Sequence, residues 1–267
     1  MNAERPPPPI SPTPPIGSLD HYWTDERGRR RFVDDLFDRT SGDYDHVERL
    51  LAFGTGSRYR RDALRRAGLR PGMRVLDIAT GTGLVAREAL ALAGPTGMVV
   101  GLDPSAGMLE QASHLESPLL VRAFGERLPC RDASFDFVSM GFGLRHVADL
   151  GLLFGEIRRV LRPGGTACIL ELTRPRSRAG AAALRTFMTK LVPAIAGNAA
   201  HRAEARQLMA FYWDTIDACV SPEAVLLAMK GAGFASPARG VVLGMFSEYL
   251  ATNGTPEPAT RREPVPG

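Results

Sequence analysis

The stretch Val75-Leu76-Asp77-Ile78-Ala79-Thr80-Gly81-Thr82-Gly83 constrains this chain most. An apolar run passes through one acidic residue into a glycine turn, and a helical apolar pattern starts at Leu84. Gly81 and Gly83 lack a Cβ, so the backbone can turn sharply and approach a ligand closely. The helix that follows aims its free N–H groups at the same place. Strand, glycine turn and helix in that order open a nucleotide-binding α/β sheet. Read from Gly81, the pattern is Gly-x-Gly-x-x-Ala, which dinucleotide-binding folds also use, so the glycines alone leave two cofactor classes open.

The remainder of the chain repeats the alternation. Strands are expected at Arg74–Ala79, Met98–Leu102, Leu119–Ala123, Phe135–Met140 and Thr166–Glu171, with helices at Leu84–Ala93, Ser105–His114 and Asp149–Leu161 between them. Pro163-Gly164-Gly165 should stop the last of these helices. Alternation of this kind gives a parallel sheet with crossover helices. An arginine- and alanine-rich helical insertion covers Ser177–Phe211, a helix covers Pro222–Gly231, and two closing strands near Ala238–Leu243 and Met245–Ala251 are too close in sequence to be anything but antiparallel. Upstream, apolar residues at helical spacing from Asp25 to Leu51 are interrupted by Thr40-Ser41-Gly42-Asp43, which predicts two short helices with a polar turn. A third helix is expected at Ser57–Ala67.

Composition narrows the function classes. A chain of 267 residues that is 44% hydrophobic can bury a full core, and residues 20–252 read as one domain with a lid-like insertion at 177–213. Residues 1–19, with Pro6 to Pro9 in a row, and 253–267 read as disordered tails. The net charge of +4 is spread over solvated helix faces, so no nucleic-acid partner is expected. Three isolated cysteines and five scattered histidines offer no disulfide framework and no metal site, which points to a reducing, cytoplasmic setting. No apolar run is long enough for a membrane span, so at most peripheral membrane contact is expected.

Asp77 separates the two cofactor classes. A carboxylate at the entrance to the glycine turn would repel a pyrophosphate but favour the ammonium and sulfonium of S-adenosylmethionine. Asp103, at the end of the second strand, can accept both ribose hydroxyls, as in either class.

The order of motifs adds a resemblance. Phe37-Asp38-Arg39 with Tyr44-Asp45, Arg70-Pro71-Gly72 before the glycine loop, and Gly101-Leu102-Asp103-Pro104-Ser105 with Met108-Leu109 come first. Glu126-x-Leu128-Pro129, Phe142-Gly143-Leu144-Arg145, Arg159 to Gly165, and Leu170-Glu171-x-x-Arg174-Pro175 follow. From about Phe32 to Tyr249 the chain resembles the class I S-adenosylmethionine-dependent methyltransferases of the ubiquinone/menaquinone biosynthesis C-methyltransferase family, as a divergent member. That resemblance implies an α/β, Rossmann-like, seven-stranded, mostly parallel sheet with an antiparallel last strand, N-terminal helices and a helical insertion after strand five. It implies S-adenosylmethionine as cofactor and no metal. The cofactor would be held by Asp77, Ala79, Thr80, Gly81, Thr82 and Gly83, by Asp103, Pro104 and Met108, by Phe124, Gly125 and Glu126, and by Gly141. The acceptor would be a small aromatic, phenolic or quinol-like molecule, most simply methylated at ring carbon as in quinone biosynthesis, and a homodimer is compatible with the family.

Three positions depart from the family pattern. Phe124 replaces a polar residue at the adenine, so ring stacking would serve there. Gly141 replaces a small hydroxyl residue, and His146 replaces an asparagine. Arg145 is the expected catalytic residue: a guanidinium is too basic to accept a proton, so it would hold the phenolate form of the acceptor and position a water. His146 beside it would supply a group able to accept a proton near neutral pH, or would be a surface residue at a loop start. Phe37, Tyr44, Phe142, Tyr212 and Trp213 are the expected substrate contacts. An O- or N-methyltransferase of a specialised metabolite is the alternative within the class. An NAD-dependent oxidoreductase is the alternative outside it, although neither lysine, Lys190 or Lys230, follows a tyrosine by four residues.

Overall fold

The computed structural model describes residues 19–115, 119–197 and 199–254. Most of both expected tails therefore lies outside the described residues. The first strands are β1 (Arg74–Ile78), β2 (Met98–Asp103), β3 (Leu119–Arg122) and β4 (Phe135–Gly141), and they pair parallel in the order β3-β2-β1-β4. Val75, Leu76 and Ile78 are all buried, because helices cover both faces and a strand apolar on both sides suits that place. The crossover helices are α3 (Leu84–Ala93), α4 (Ala106–Ala112) and α5 (Leu150–Val160). Side chains cap two of them: Ser105 accepts from Met108 N and Asp149 from Leu152 N. The sheet continues through β5 (Leu161–Leu172) to β7 (Phe246–Thr252) and β6 (Ala235–Val242), with β7 antiparallel to both neighbours. This is the expected seven-stranded Rossmann-like sheet.

Two expectations fail locally. The segment with Thr40-Ser41-Gly42-Asp43 does not break: α1 is one helix, Glu26–Leu51. Thr40 Oγ1 donates to Leu36 O at 2.8 Å and Ser41 Oγ to Asp38 O at 3.0 Å, so the hydroxyls bond back within the helix instead of opening a turn. Pro163-Gly164-Gly165 likewise does not stand outside the strand. It forms an irregularity inside β5, where pairing with β4 steps from Phe135–Leu161 to Phe137–Thr166. Gly164 there takes φ +80°, open to glycine, and its N–H donates to Asn253 O at 2.6 Å. Asn253 Nδ2 also donates to Leu161 O at 2.8 Å, which anchors the first residue of the expected C-terminal tail.

The remaining elements are α2 (Gly56–Arg66), which packs beside α3, α9 (Pro222–Gly231), which packs against α5 and β6, and the insertion helices α6 (Arg178–Thr186), α7 (Val192–Ile195) and α8 (Ala199–Asp217). A π turn, Phe187–Leu191, joins α6 to α7. A second core joins Val33, Leu36 and Val47 of α1 to Leu184, Met188, Leu208, Phe211 and Ile216 of the insertion. The insertion is thus packed onto α1, above the sheet.

Candidate active site

Two cavities lie side by side at the carboxyl ends of the strands. The first, about 100 Å³, is lined by Ala79 and Gly81 of the glycine loop, Asp103, Pro104 and Met108 after β2, Phe124, Gly125 and Glu126 after β3, and Gly141 after β4. That is the switch point where an open α/β sheet holds its ligand. Asp77, Thr80, Thr82 and Gly83 do not line it. Asp77 is fully buried, and its carboxylate accepts from Ser139 Oγ at 2.6 Å and Thr80 Oγ1 at 2.7 Å. Burial, partly offset by those two hydrogen bonds, pushes its pKa up to about 6.

The continuity of α1 explains how the site is braced. Asp38 and Asp45 are seven residues apart, two helical turns, and so share a face. Asp38 Oδ1 accepts from Ser105 Oγ and from Gly107 N at 3.0 Å, while Asp45 Oδ1 accepts from Thr82 Oγ1 at 2.6 Å. One helix therefore clamps both ligand-facing loops. Phe37 and Tyr44 repeat the same spacing and both line the first cavity.

Asp103 receives Gly81 N at 2.8 Å and Ser105 N at 2.9 Å, and burial pushes its pKa up to about 6. With Asp34 and Glu126 it gives this cavity three carboxylates, alongside Arg29 and Arg30. A pyrophosphate would meet those carboxylates directly, whereas a sulfonium-bearing ligand is matched by them. Phe124 sits at the opening, 39% exposed, with the Arg30 guanidinium 5.0 Å from its ring centroid. A Cβ on Gly141 would lie 2.5 Å from Val85 Cγ2, so the missing hydroxyl side chain is a matter of space.

The second cavity, about 180 Å³, is walled by apolar residues of α1, the insertion and the start of β7, among them Val47, Leu51, Leu184, Phe187, Leu208, Met209 and Phe246. Tyr44, Phe142 and Tyr212 line both cavities and form the partition between them. Tyr212 Oη donates to Tyr44 Oη at 2.9 Å across it. Burial raises the pKa of both phenols, so both stay protonated. Trp213, the fifth expected contact, is turned away among Arg174, Arg178, Arg206 and Asp214 on the outer face of the insertion.

Arg145 is fully buried at the base of this second cavity. Its Nη1 donates to Glu171 Oε1 and to Phe142 O at 3.1 Å, and Nε donates to Thr215 Oγ1 at 3.2 Å. The guanidinium lies 4.8 Å from the Tyr212 ring centroid. Nη2 is buried without a partner among the described residues. Burial is the largest influence and opposes the charge, but the Glu171 carboxylate, with smaller contributions from Tyr212, Tyr44 and Cys219, outweighs it and holds the pKa above the ordinary arginine value.

His146 occupies the other side. It lines the first cavity, stacks on Phe211 at 5.5 Å and meets Phe37 edge-on at 5.2 Å. Its Nε2 is buried without a partner among the described residues. Burial, then the charges of Arg145 and Arg29, lower its pKa well below the ordinary value, so the ring is neutral. Arg145 and His146 are adjacent in sequence yet face different cavities, because the single 3₁₀ turn Leu144–His146 points them apart.

Sequence reasoning missed Glu171, Glu48 and Arg60. Glu171 had a signal, an acidic residue at the end of an otherwise apolar strand. Arg60 Nη2 pairs with Glu48 Oε1 at 2.6 Å at the second cavity, and its Nε is buried without a partner among the described residues. Gly56 makes room for that pair, since a Cβ there would lie 2.4 Å from Glu48 Oε1.

The comparisons agree with this geometry. The model of the ubiE/COQ5 methyltransferase family matches residues 24–238. The ubiquinone/menaquinone biosynthesis C-methyltransferase UbiE of Geobacter sulfurreducens is 39% identical over 66% of this chain and 71% of its own. The demethylmenaquinone methyltransferase of Staphylococcus aureus is 35% identical over 57% and 64%. Among solved structures, the phosphoethanolamine N-methyltransferase 2 of Haemonchus contortus in complex with S-adenosyl-L-methionine superimposes with a TM-score of 0.59 at 17% identity, covering 85% of this chain and 60% of that one. A SAM-dependent methyltransferase from Aquifex aeolicus gives 0.53 at 20% identity over 72% and 88%. These two likenesses show the fold. The chain belongs to the ubiE/COQ5 methyltransferase family and is an S-adenosylmethionine-dependent methyltransferase.

Proposed function

We propose that this enzyme methylates a ring carbon of a quinol-like aromatic molecule held in the Arg145 cavity, a reading in line with the names of its relatives. One observation carries it: the unpartnered Nη2 of a fully buried arginine at a largely apolar cavity, whose other charges, Arg60 and Glu48, pair with each other. A buried donor of that kind asks for an anionic oxygen, and an apolar wall asks for a flat ring around it. Together they describe a phenolate.

When bound, S-adenosylmethionine supplies a methyl group activated by its sulfonium. The residues of the chain do the rest. Arg145 holds the acceptor oxygen as an anion, which raises electron density on the ring carbon beside it. Glu171 fixes the guanidinium and keeps it charged. Tyr44, Tyr212 and Phe142 set the approach between the cavities and exclude water, and segment 177–213 serves as the lid. Arg145 itself does not take the ring proton, because Glu171 keeps it protonated, and the proton passes to a water it positions. His146, neutral and on the cofactor side, acts as an aromatic wall against Phe37 and Phe211.

The test is transfer of a labelled methyl group to a panel: a naphthohydroquinone with a short prenyl chain, a benzohydroquinone, a simple phenol and an aliphatic amine. Transfer to the hydroquinones is expected. Transfer to the amine alone would overturn the reading.

A further inference from the structure

Two of the most exposed large apolar side chains sit at the rim of the acceptor cavity, and both stand on strained backbone. Phe53, just after α1, is 77% exposed with φ +49°, and Leu243, in the turn between β6 and β7, is 78% exposed with φ +52°. Left-handed backbone is unfavourable for such residues and is kept where the surroundings enforce it, commonly at functional sites. Both residues line the mouth of the cavity that holds Arg145. Phe53 stacks on Phe187 at 5.1 Å, and Phe187 opens the π turn whose last residue, Leu191, is also exposed. Irregular helical turns of that kind recur at functional positions.

Cations outnumber carboxylates around this patch. One hollow outside the rim combines Phe53, Phe187, Val241 and Leu243 with Arg174, Arg176 and Arg239, and no carboxylate lines it. The adjoining hollow holds Lys190 and Leu191 without a carboxylate, and on its other side Lys190 borders a hollow that also holds Asp214 and Asp217. Arg174 is paired with Asp217 and Arg239 is engaged by Ser247 and Thr173. Arg176 and Lys190 form no ion pair among the described residues.

We propose that this rim docks the enzyme on an anionic lipid bilayer, with Phe53 and Leu243 entering the interface and Arg176 and Lys190 meeting acidic headgroups. An apolar centre ringed by cations is the chemistry of peripheral membrane attachment. A nucleic acid would satisfy the cations and leave Leu243 in water. The proposal deepens the acceptor reading and rests on it: an amphiphilic ring dissolved in lipid can pass into a cavity that opens onto the membrane without crossing water.

Flotation of the full chain with vesicles tests this without any acceptor, so failure here and failure of the acceptor reading are separable. Vesicles of phosphatidylcholine mixed with phosphatidylglycerol are expected to carry the protein. Vesicles of phosphatidylcholine alone should carry at least tenfold less. Phe53→Ser with Leu243→Ser, and separately Arg176→Glu with Lys190→Glu, should each lower binding to the mixed vesicles tenfold or more. Thermal unfolding of each variant shows that the fold is retained. Should either pair unfold, the single changes Phe53→Gln and Arg176→Gln replace it, each expected to lower binding at least threefold. Equal binding to both vesicle types, no vesicle binding, or vesicle binding indifferent to both pairs would overturn the proposal. So would a dimer that the Phe53 and Leu243 changes dissolve in the absence of any vesicle binding.

Discussion

Tyr212 donates its hydroxyl hydrogen to the Tyr44 oxygen at 2.9 Å, and that one contact joins α8 to α1 across the partition between the two cavities. Tyr212 also lies against the Arg145 guanidinium, so the partition and the buried charge form one unit. Removing either hydroxyl should cost about 1 kcal/mol of stability. The double variant Tyr44→Phe with Tyr212→Phe should cost less than the sum of the two, because neither partner is then left unpaired. Urea unfolding of the four proteins measures the coupling.

The Arg145–Glu171 pair is a second measurable unit. Removing one partner of a buried ion pair typically costs about 3–5 kcal/mol, because the other charge is left uncompensated. Glu171→Leu should show a loss of that order in urea unfolding. Glu171→Gln keeps the shape and a weaker hydrogen bond, so it should be milder in stability, and kcat should fall more than tenfold as Arg145 loses its fixed orientation.

Gly141 leads to a steric prediction. Gly141→Ala puts a methyl group against Val85 Cγ2 and should cost about 1–3 kcal/mol. Val85→Ala in the same chain should recover most of that loss. Thermal unfolding of the single and double variants tests this, and equal melting of Gly141→Ala and the parent would refute it.

Asp103 sets a pH dependence. Its pKa is raised to about 6 in the fold, so the folded state binds more protons than the unfolded one between about pH 4 and pH 6. Its ionisation therefore lowers the stability of the ligand-free protein as pH rises through that window. A cationic ligand favours the carboxylate, so S-adenosylmethionine should bind more tightly as pH rises through about 6. Calorimetric titration at several pH values should show that rise in the parent and a flatter profile in Asp103→Asn.

Much of this was legible in the sequence because local chemistry decides it. The alternation of buried strands with helices gave the sheet, and the glycine loop with Asp103 marked the ligand end. The continuity of α1 was hidden, since Thr40 and Ser41 bond back to the carbonyls of Leu36 and Asp38, an option that composition does not reveal. The division of Arg145 from His146 was hidden too. Neighbours in sequence read as one acid–base pair, and only the 3₁₀ turn places them at separate cavities. Phe53 and Leu243 gave no signal, because a left-handed backbone at a non-glycine residue is a tertiary outcome.

In the proposed mechanism the buried Arg145 donor directs methylation to ring carbon. The most direct measurement is nuclear magnetic resonance of the product formed from carbon-13 methyl-labelled S-adenosylmethionine and a short-chain naphthohydroquinone, with the parent enzyme and with Arg145→Met. A methyl signal on ring carbon, lost at least a hundredfold in the variant, is the predicted result. A methyl ether, or an undiminished ring-methyl signal in Arg145→Met, would contradict it.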